Sequence, residues 1–184
     1  PRVRQALDDA LAGIRDYDIE FRTPWPDGSL HWIAARGQVF RDPAGKPLRM
    51  IGIGMDVTER RRSEENLTQL AAIVECSEDA IIGETLDGIV ITWNSGAEKM
   101  FGYSASEIQG RPITTLMPES MRPAHLAGLR RFLSTRQPRV IGRTVEVAGV
   151  RKDGTVFPME LSLADWETAD GLFFTAISRD ITER

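Results

Sequence analysis

Phe157, Met159, Leu161 and Leu163 fall at every second position, separated by Pro158, Glu160 and Ser162. This alternation sets one row of side chains on a buried face of an extended strand and the other toward water. The pattern predicts a strand over residues 154–165, a polar turn after it and a β-rich return over 171–179. Residues 143–151 form a further strand candidate, and residues 79–84 and 88–93 flank Leu86-Asp87-Gly88, a hairpin signal. Short helical pieces at 96–102 and 105–109 have Ser95 and Ser104 as candidate caps. Residues 121–133 carry Leu126, Leu129 and Leu133 at helical spacing, which predicts a longer helix with that stripe as its apolar face.

The closing strands recur. Asp153-Gly154-Thr155 opens the second copy and Asp180-Ile181-Thr182-Glu183-Arg184 closes it, while Asp27-Gly28-Ser29 and Asp56-Val57-Thr58-Glu59-Arg60 do the same about 125 residues upstream. A solenoid repeats every 20 to 50 residues or so, so these copies are two domains of one family. The first has strand candidates at 17–22, 30–40 and 48–55 behind a helix at 2–14, and it lacks the hairpin and short helices. The chain therefore reads as a partial unit over residues 1–60, a linker helix over 61–76 and a complete unit over 77–184. Residues 58–77 contain neither Gly nor Pro, and Thr58 is placed to cap a helix there. Leu67, Leu70 and Val74 form a short seam on it, suited either to a homodimer or to packing on its own domain.

Composition narrows the chemistry. At 184 residues, 41% hydrophobic and 27% charged, the chain is an ordinary folding sequence. The single Cys76 excludes an intrachain disulfide, a Cys-rich zinc finger and covalent haem attachment, and fits a reducing, cytoplasmic setting. Two histidines, His31 and His125, exclude a multi-histidine metal site. A net charge of −4 argues against nucleic acid as a partner, and no apolar run is long enough for a membrane span. The chain starts at Pro1, as a piece of a longer protein would. With its histidines in different units, no nucleophile, base and orienter can be brought together, so the fragment reads as no enzyme. His31 aligns with Phe157 in the repeat and reads as a half-buried strand residue with no ligand role.

Trp93-Asn94, Phe101-Gly102-Tyr103-Ser104, Glu107-Ile108-Gln109-Gly110, Leu116-Met117-Pro118, Arg151-Lys152-Asp153-Gly154, Phe157-Pro158-Met159-Glu160 and Arg179-Asp180-Ile181-Thr182 together resemble the PAS sensory domain with its PAC motif. Residues 15–60, with His31-Trp32, resemble the C-terminal half of another such domain. The resemblance implies an α+β fold, a five-stranded antiparallel sheet cupping a small pocket against helices. Met117-Pro118-Glu119 followed by His125 is similar to the haem-PAS oxygen sensors of the FixL and Dos types. That likeness implies haem b with His125 as its metal ligand, Arg131 and Arg139 near the propionates, and Val140, Leu161 and Leu163 over the distal face, with Met159 in the pocket wall. Val145 stands where those sensors carry an arginine that contacts oxygen; it donates no hydrogen bond, and Arg143 is the candidate substitute. The implied function is a signal-relay module of a sensor histidine kinase or cyclic-dinucleotide enzyme. It would take a small ligand or diatomic gas, form a homodimer through the linker helix and pass its signal to a C-terminal output domain. The alternative is a haem-free scaffold for dimerisation and domain positioning.

Overall fold

The computed structural model describes residues 2–137, 140–169 and 171–183, and the alternating segments form two antiparallel sheets. The chain divides into two compact units, Pro1–Gln69 and Leu70–Arg184. In the first, helix α1 (Arg2–Ala12) precedes β1 (Tyr17–Pro24), β2 (Leu30–Arg41) and β3 (Pro47–Asp56), with β2 central. Helix α2 (Thr58–Glu75) follows. Its start is held by Asp56, whose Oδ1 accepts the Thr58 backbone N–H at 2.9 Å and its hydroxyl at 2.6 Å. The Thr58 hydroxyl oxygen in turn accepts the Trp32 N–H at 2.8 Å. Thr58 thus ties the helix to β2, and the preceding carboxylate serves the first turn.

The second unit contains β4 (Ala80–Thr85), β5 (Val90–Trp93), α3 (Ser95–Phe101), α4 (Ala105–Ile108), α5 (Arg122–Thr135), β6 (Thr144–Val150), β7 (Val156–Thr168) and β8 (Gly171–Asp180). Its sheet runs β5-β4-β8-β7-β6, all neighbours antiparallel. The β4–β5 turn closes through Gly88, whose φ of 72° is a conformation that favours glycine, with its N–H on the Thr85 carbonyl at 2.9 Å. Ile82, Val90, Phe101, Ile108 and Phe157 bury almost completely between the sheet and the short helices. Arg179, near the end of β8, holds both oxygens of Asp79 ahead of β4, at 2.8 and 2.7 Å.

Two expectations are corrected. The cap of α3 is Asn94, whose Oδ1 accepts the Ala97 N–H at 2.9 Å, while Ser95 donates its hydroxyl to the Glu75 carbonyl. Asn94 also accepts from Ile81 N–H at 2.8 Å and donates to the carbonyls of Val74 and Asp79 at 2.9 and 3.1 Å. An amide oxygen that accepts two bonds reaches the turn, and a serine hydroxyl at the next position does not compete. On α5, Leu126 and Leu133 are exposed, and the inward face is His125, Leu129 and Phe132. Phe132 is buried against Phe174 of β8 in an edge contact at 5.5 Å, which turns the helix by one position from the all-leucine stripe. Ser104 does cap α4, with Glu107 Oε2 accepting the Ser104 N–H at 3.0 Å. The Lys152 ammonium, with the Ser104 bonds, holds Glu107 down at about 2.

Replacing Asn94 with Ala leaves two backbone N–H groups, that of Ala97 buried, and two carbonyls without their side-chain partner. Denaturant unfolding of Asn94→Ala is expected to show a loss on the order of 3 kcal/mol, against about 1 kcal/mol for Ser95→Ala. Equal losses in the two variants contradict the assignment of the cap.

Candidate functional site

Cross-strand pairing sets the inner face of the second sheet in rungs. Ala80, Ser178, Leu161 and Val145 share one; Ile82, Ala176 and Leu163 share the next; Val147 and Met159 lie on the other side of the first. Paired residues point to the same side of a sheet, so Val145, Met159, Leu161 and Leu163 stand together on the face that packs on the core. Val140 lies in the turn before β6, and that turn is fastened to the end of this row: Ile141 bridges Leu163, and Gly142 donates to the Leu163 carbonyl at 2.8 Å. Arg143 falls in the same turn, exposed and outside β6, so the strand-face argument for it as a donor does not hold.

His125 is half-buried on the inward stripe of α5, two turns from Phe132, and among the described residues its imidazole has no hydrogen-bond or ion-pair partner. Burial lowers its pKa, which favours the neutral ring. An imidazole kept toward its neutral form on a helix that packs on an apolar sheet face could serve as the one histidine ligand of a metal. Arg131 is half-buried on the same helix and makes no ion pair among the described residues. Arg139 lies outside the described residues. No cluster of three or more His, Cys, Asp or Glu suited to a metal occurs among the described residues. Cys76 is exposed and free. No helix among the described residues is long and apolar enough to cross a membrane.

Two inward polar groups escaped sequence reasoning. Ser178 is buried in the rung between Ala80 and Leu161. Glu84 is 6% exposed on β4 opposite Phe174, and its Oε2 is buried without a hydrogen-bond partner. The signal was present in the alternation Ala80, Ile82, Glu84, where an acid occupies an inward position. Desolvation pushes its carboxyl up to about 7.

The first unit overturns one expectation. Ser29, His31 and Asp56 do line up: Ser29 Oγ lies 2.8 Å from His31 Nε2, and His31 Nδ1 lies 2.6 Å from Asp56 Oδ2. Both histidines need not meet for this, because the serine and the acid come from the same unit as His31. The Ser29 hydroxyl, however, donates to Asp27 Oδ1 at 2.5 Å, so its proton faces a carboxylate and not the imidazole.

A PAS domain model matches residues 78–183, and a PAS fold model matches residues 1–54. The whole chain is 33% identical to sensor protein FixL of Bradyrhizobium diazoefficiens, spanning 38% of that protein. Half of it, 91 aligned residues, is 31% identical to oxygen sensor protein DosP of Escherichia coli, spanning 11% of that protein. Among solved structures, a PAS domain from Colwellia psychrerythraea superposes with a TM-score of 0.56 at 26% identity, over 65% of this chain and 99% of that one. The PAS domain of an HTR-like protein from Haloarcula marismortui gives 0.54 at 29% identity, over 67% and 98%.

Glu84 generates a pH-dependent expectation. An unfolded glutamate releases its proton near pH 4.5, whereas the folded chain keeps it to about 7. Between those values the folded state binds more protons, so each rise in pH favours unfolding. Relative to wild type, Glu84→Gln is expected to be equally stable below about pH 4.5 and to gain on the order of 3 kcal/mol by about pH 8. Denaturation of both proteins across that range checks it; a constant difference rejects a buried, unpartnered Glu84.

Proposed function

This chain belongs to the PAS domain family, and from that we propose that its second unit is a ligand-binding signal-relay module that holds haem b through His125. The carrying observation is the half-buried imidazole on the inward side of α5, without a partner among the described residues and held toward its neutral form by burial, seven residues from the Phe132 that anchors the helix to the sheet. Similarity to a sensor protein and to an oxygen sensor supports the same reading. Haem held there through His125 would supply an iron able to bind a diatomic gas. Leu161, Leu163 and Val145 keep water from that face, and Val140 borders it from the turn before β6. Arg131, half-buried on α5, is a cation available to the haem carboxylates, and the same role for Arg139 rests on the sequence resemblance alone. Val145 offers no hydrogen-bond donor, so the pocket favours carbon monoxide over oxygen.

The relay runs to an output domain beyond Arg184. Asp180 pairs with Leu161's neighbour Met159, and its Oδ1 accepts the Thr182 N–H at 2.9 Å, repeating what Asp56 does at the start of α2. Ligand state at Leu161 therefore reaches the exit of β8 through the adjacent rung. Leu67, Leu70 and Val74 on α2 are 68%, 60% and 41% exposed, which favours a homodimer seam and, with it, a positioning role beside sensing.

On addition of haem, the wild-type chain is expected to develop an intense Soret band, and His125→Ala to lose or shift it. A wild type without the band, or a variant with an identical one, removes haem ligation by His125 and leaves the haem-free scaffold. For the seam, Leu67→Glu with Leu70→Glu is expected to halve the sedimenting mass; an unchanged mass rejects the dimer.

A further inference from the structure

The two units end their sheets on the same carboxylate device but supply it with different cations. In the second unit Asp180 Oδ2 pairs with Arg151, whose guanidinium lies 3.8 Å from the centre of the Phe157 ring. In the first, Asp56 Oδ2 pairs with His31, whose ring stacks on Trp25 at 3.9 Å and 10°. Trp25 occupies the repeat position of Arg151, and His31 that of Phe157. Cation and aromatic have exchanged places, and the junction keeps one of each. The second unit uses a guanidinium for this contact, and the first an imidazole.

Proton counting shows which form of His31 the first unit holds. Asp27 and Asp56 only accept: bonds from Ser29 hold Asp27 low, and bonds from Thr58 and His31 hold Asp56 at about 2. Ser29 has one hydroxyl proton, and it goes to Asp27. That leaves His31 Nε2 to face Ser29 Oγ as a donor and Nδ1 to face Asp56 as a donor, an arrangement suited to a ring with protons on both nitrogens. The acids facing the ring are Asp27 from the β1–β2 turn and Asp56 from β3; opposite it on β1 stands Thr23, which does not titrate, and Arg22 and Arg61 lie over Trp32.

We propose that the first unit is a proton-operated switch, in which doubly protonated His31 locks Asp56 onto the first turn of α2 and its deprotonation loosens that turn, while the Arg151 junction stays indifferent to pH. Loss of either proton breaks the chain: without the one on Nε2, Ser29 must abandon Asp27 or face His31 lone pair to lone pair. Without the one on Nδ1, Asp56 loses its partner.

Amide hydrogen exchange of the whole chain, expressed as protection over the intrinsic rate at each pH, tests this with an internal control. Protection of the Thr58 amide is expected to fall about fivefold from about pH 5.5 to about pH 8, the scale of a charge-assisted hydrogen bond becoming neutral, with no step at Thr182. His31→Arg, and the exchange Trp25→Arg with His31→Phe, are expected to abolish the step at Thr58. No step in wild type, a step shared with Thr182, or a step that survives His31→Arg overturns the proposal. Imidazole nitrogen NMR of the wild-type chain needs no substitution: both His31 nitrogens carry protons at about pH 5.5, and a ring with one proton there overturns it equally.

Discussion

Asn94 is the fastening on which the second unit depends. Its amide uses its whole hydrogen-bonding capacity inside the fold, accepting from Ile81 and Ala97 and donating to Val74 and Asp79. One side chain thereby joins the end of α2, the entry to β4 and the first turn of α3. Asn94 itself is buried, so its amide depends on these partners. The close approach they enforce leaves no room beyond a hydrogen at Gly96, where a Cβ would stand 2.4 Å from the Asp79 carbonyl oxygen. With α3 fixed in this way, Phe101 fills the core beneath it and contacts Trp93 and Phe157. The inner face of the sheet is then a rigid floor, and α5, held by Phe132 on Phe174, is the element left to carry His125 above it.

That floor mixes apolar side chains with two polar groups, and the mixture opposes stability. A core built only to be stable would place an apolar residue at Glu84, because an unpartnered carboxyl is among the least favourable groups to bury. Its position opposite Phe174 puts a titrating group under the same helix that carries His125. The exits of the two sheets share an economy of a different kind. Asp56 and Asp180 each serve the chain that follows with one oxygen and a basic side chain, His31 or Arg151, with the other. A strand end is thereby coupled to the next segment by a single carboxylate.

Much of this was legible in the sequence, and the limits have physical causes. Strands β6, β7 and β8 follow from alternation, because one buried face demands it, and Gly88 and Gly154 announce their turns. The inward face of α5 was misread because periodicity counts leucines, and the true stripe includes a histidine that no apolar pattern scores. The α3 cap was assigned to Ser95 because a serine precedes the helix, while the competing asparagine one residue earlier reaches two backbone N–H groups at once. The row from Asp27 through His31 to Asp56 was invisible for another reason. It is closed by a residue 25 positions away, and only the register of β2 on β3 brings that residue near. Glu84 could have been found as the one acid in the inward series of β4.

The central claim is that the inner face beneath α5 is where this chain binds its ligand. Ferric haem is paramagnetic, so titrating it into the methyl-labelled chain broadens the signals of residues beside it. The account predicts selective broadening at Val140, Val145, Leu161 and Leu163, with the β1–β3 methyls of Ile19, Ile33 and Val39 unaffected. Broadening centred on the first unit, or spread evenly over both, contradicts it.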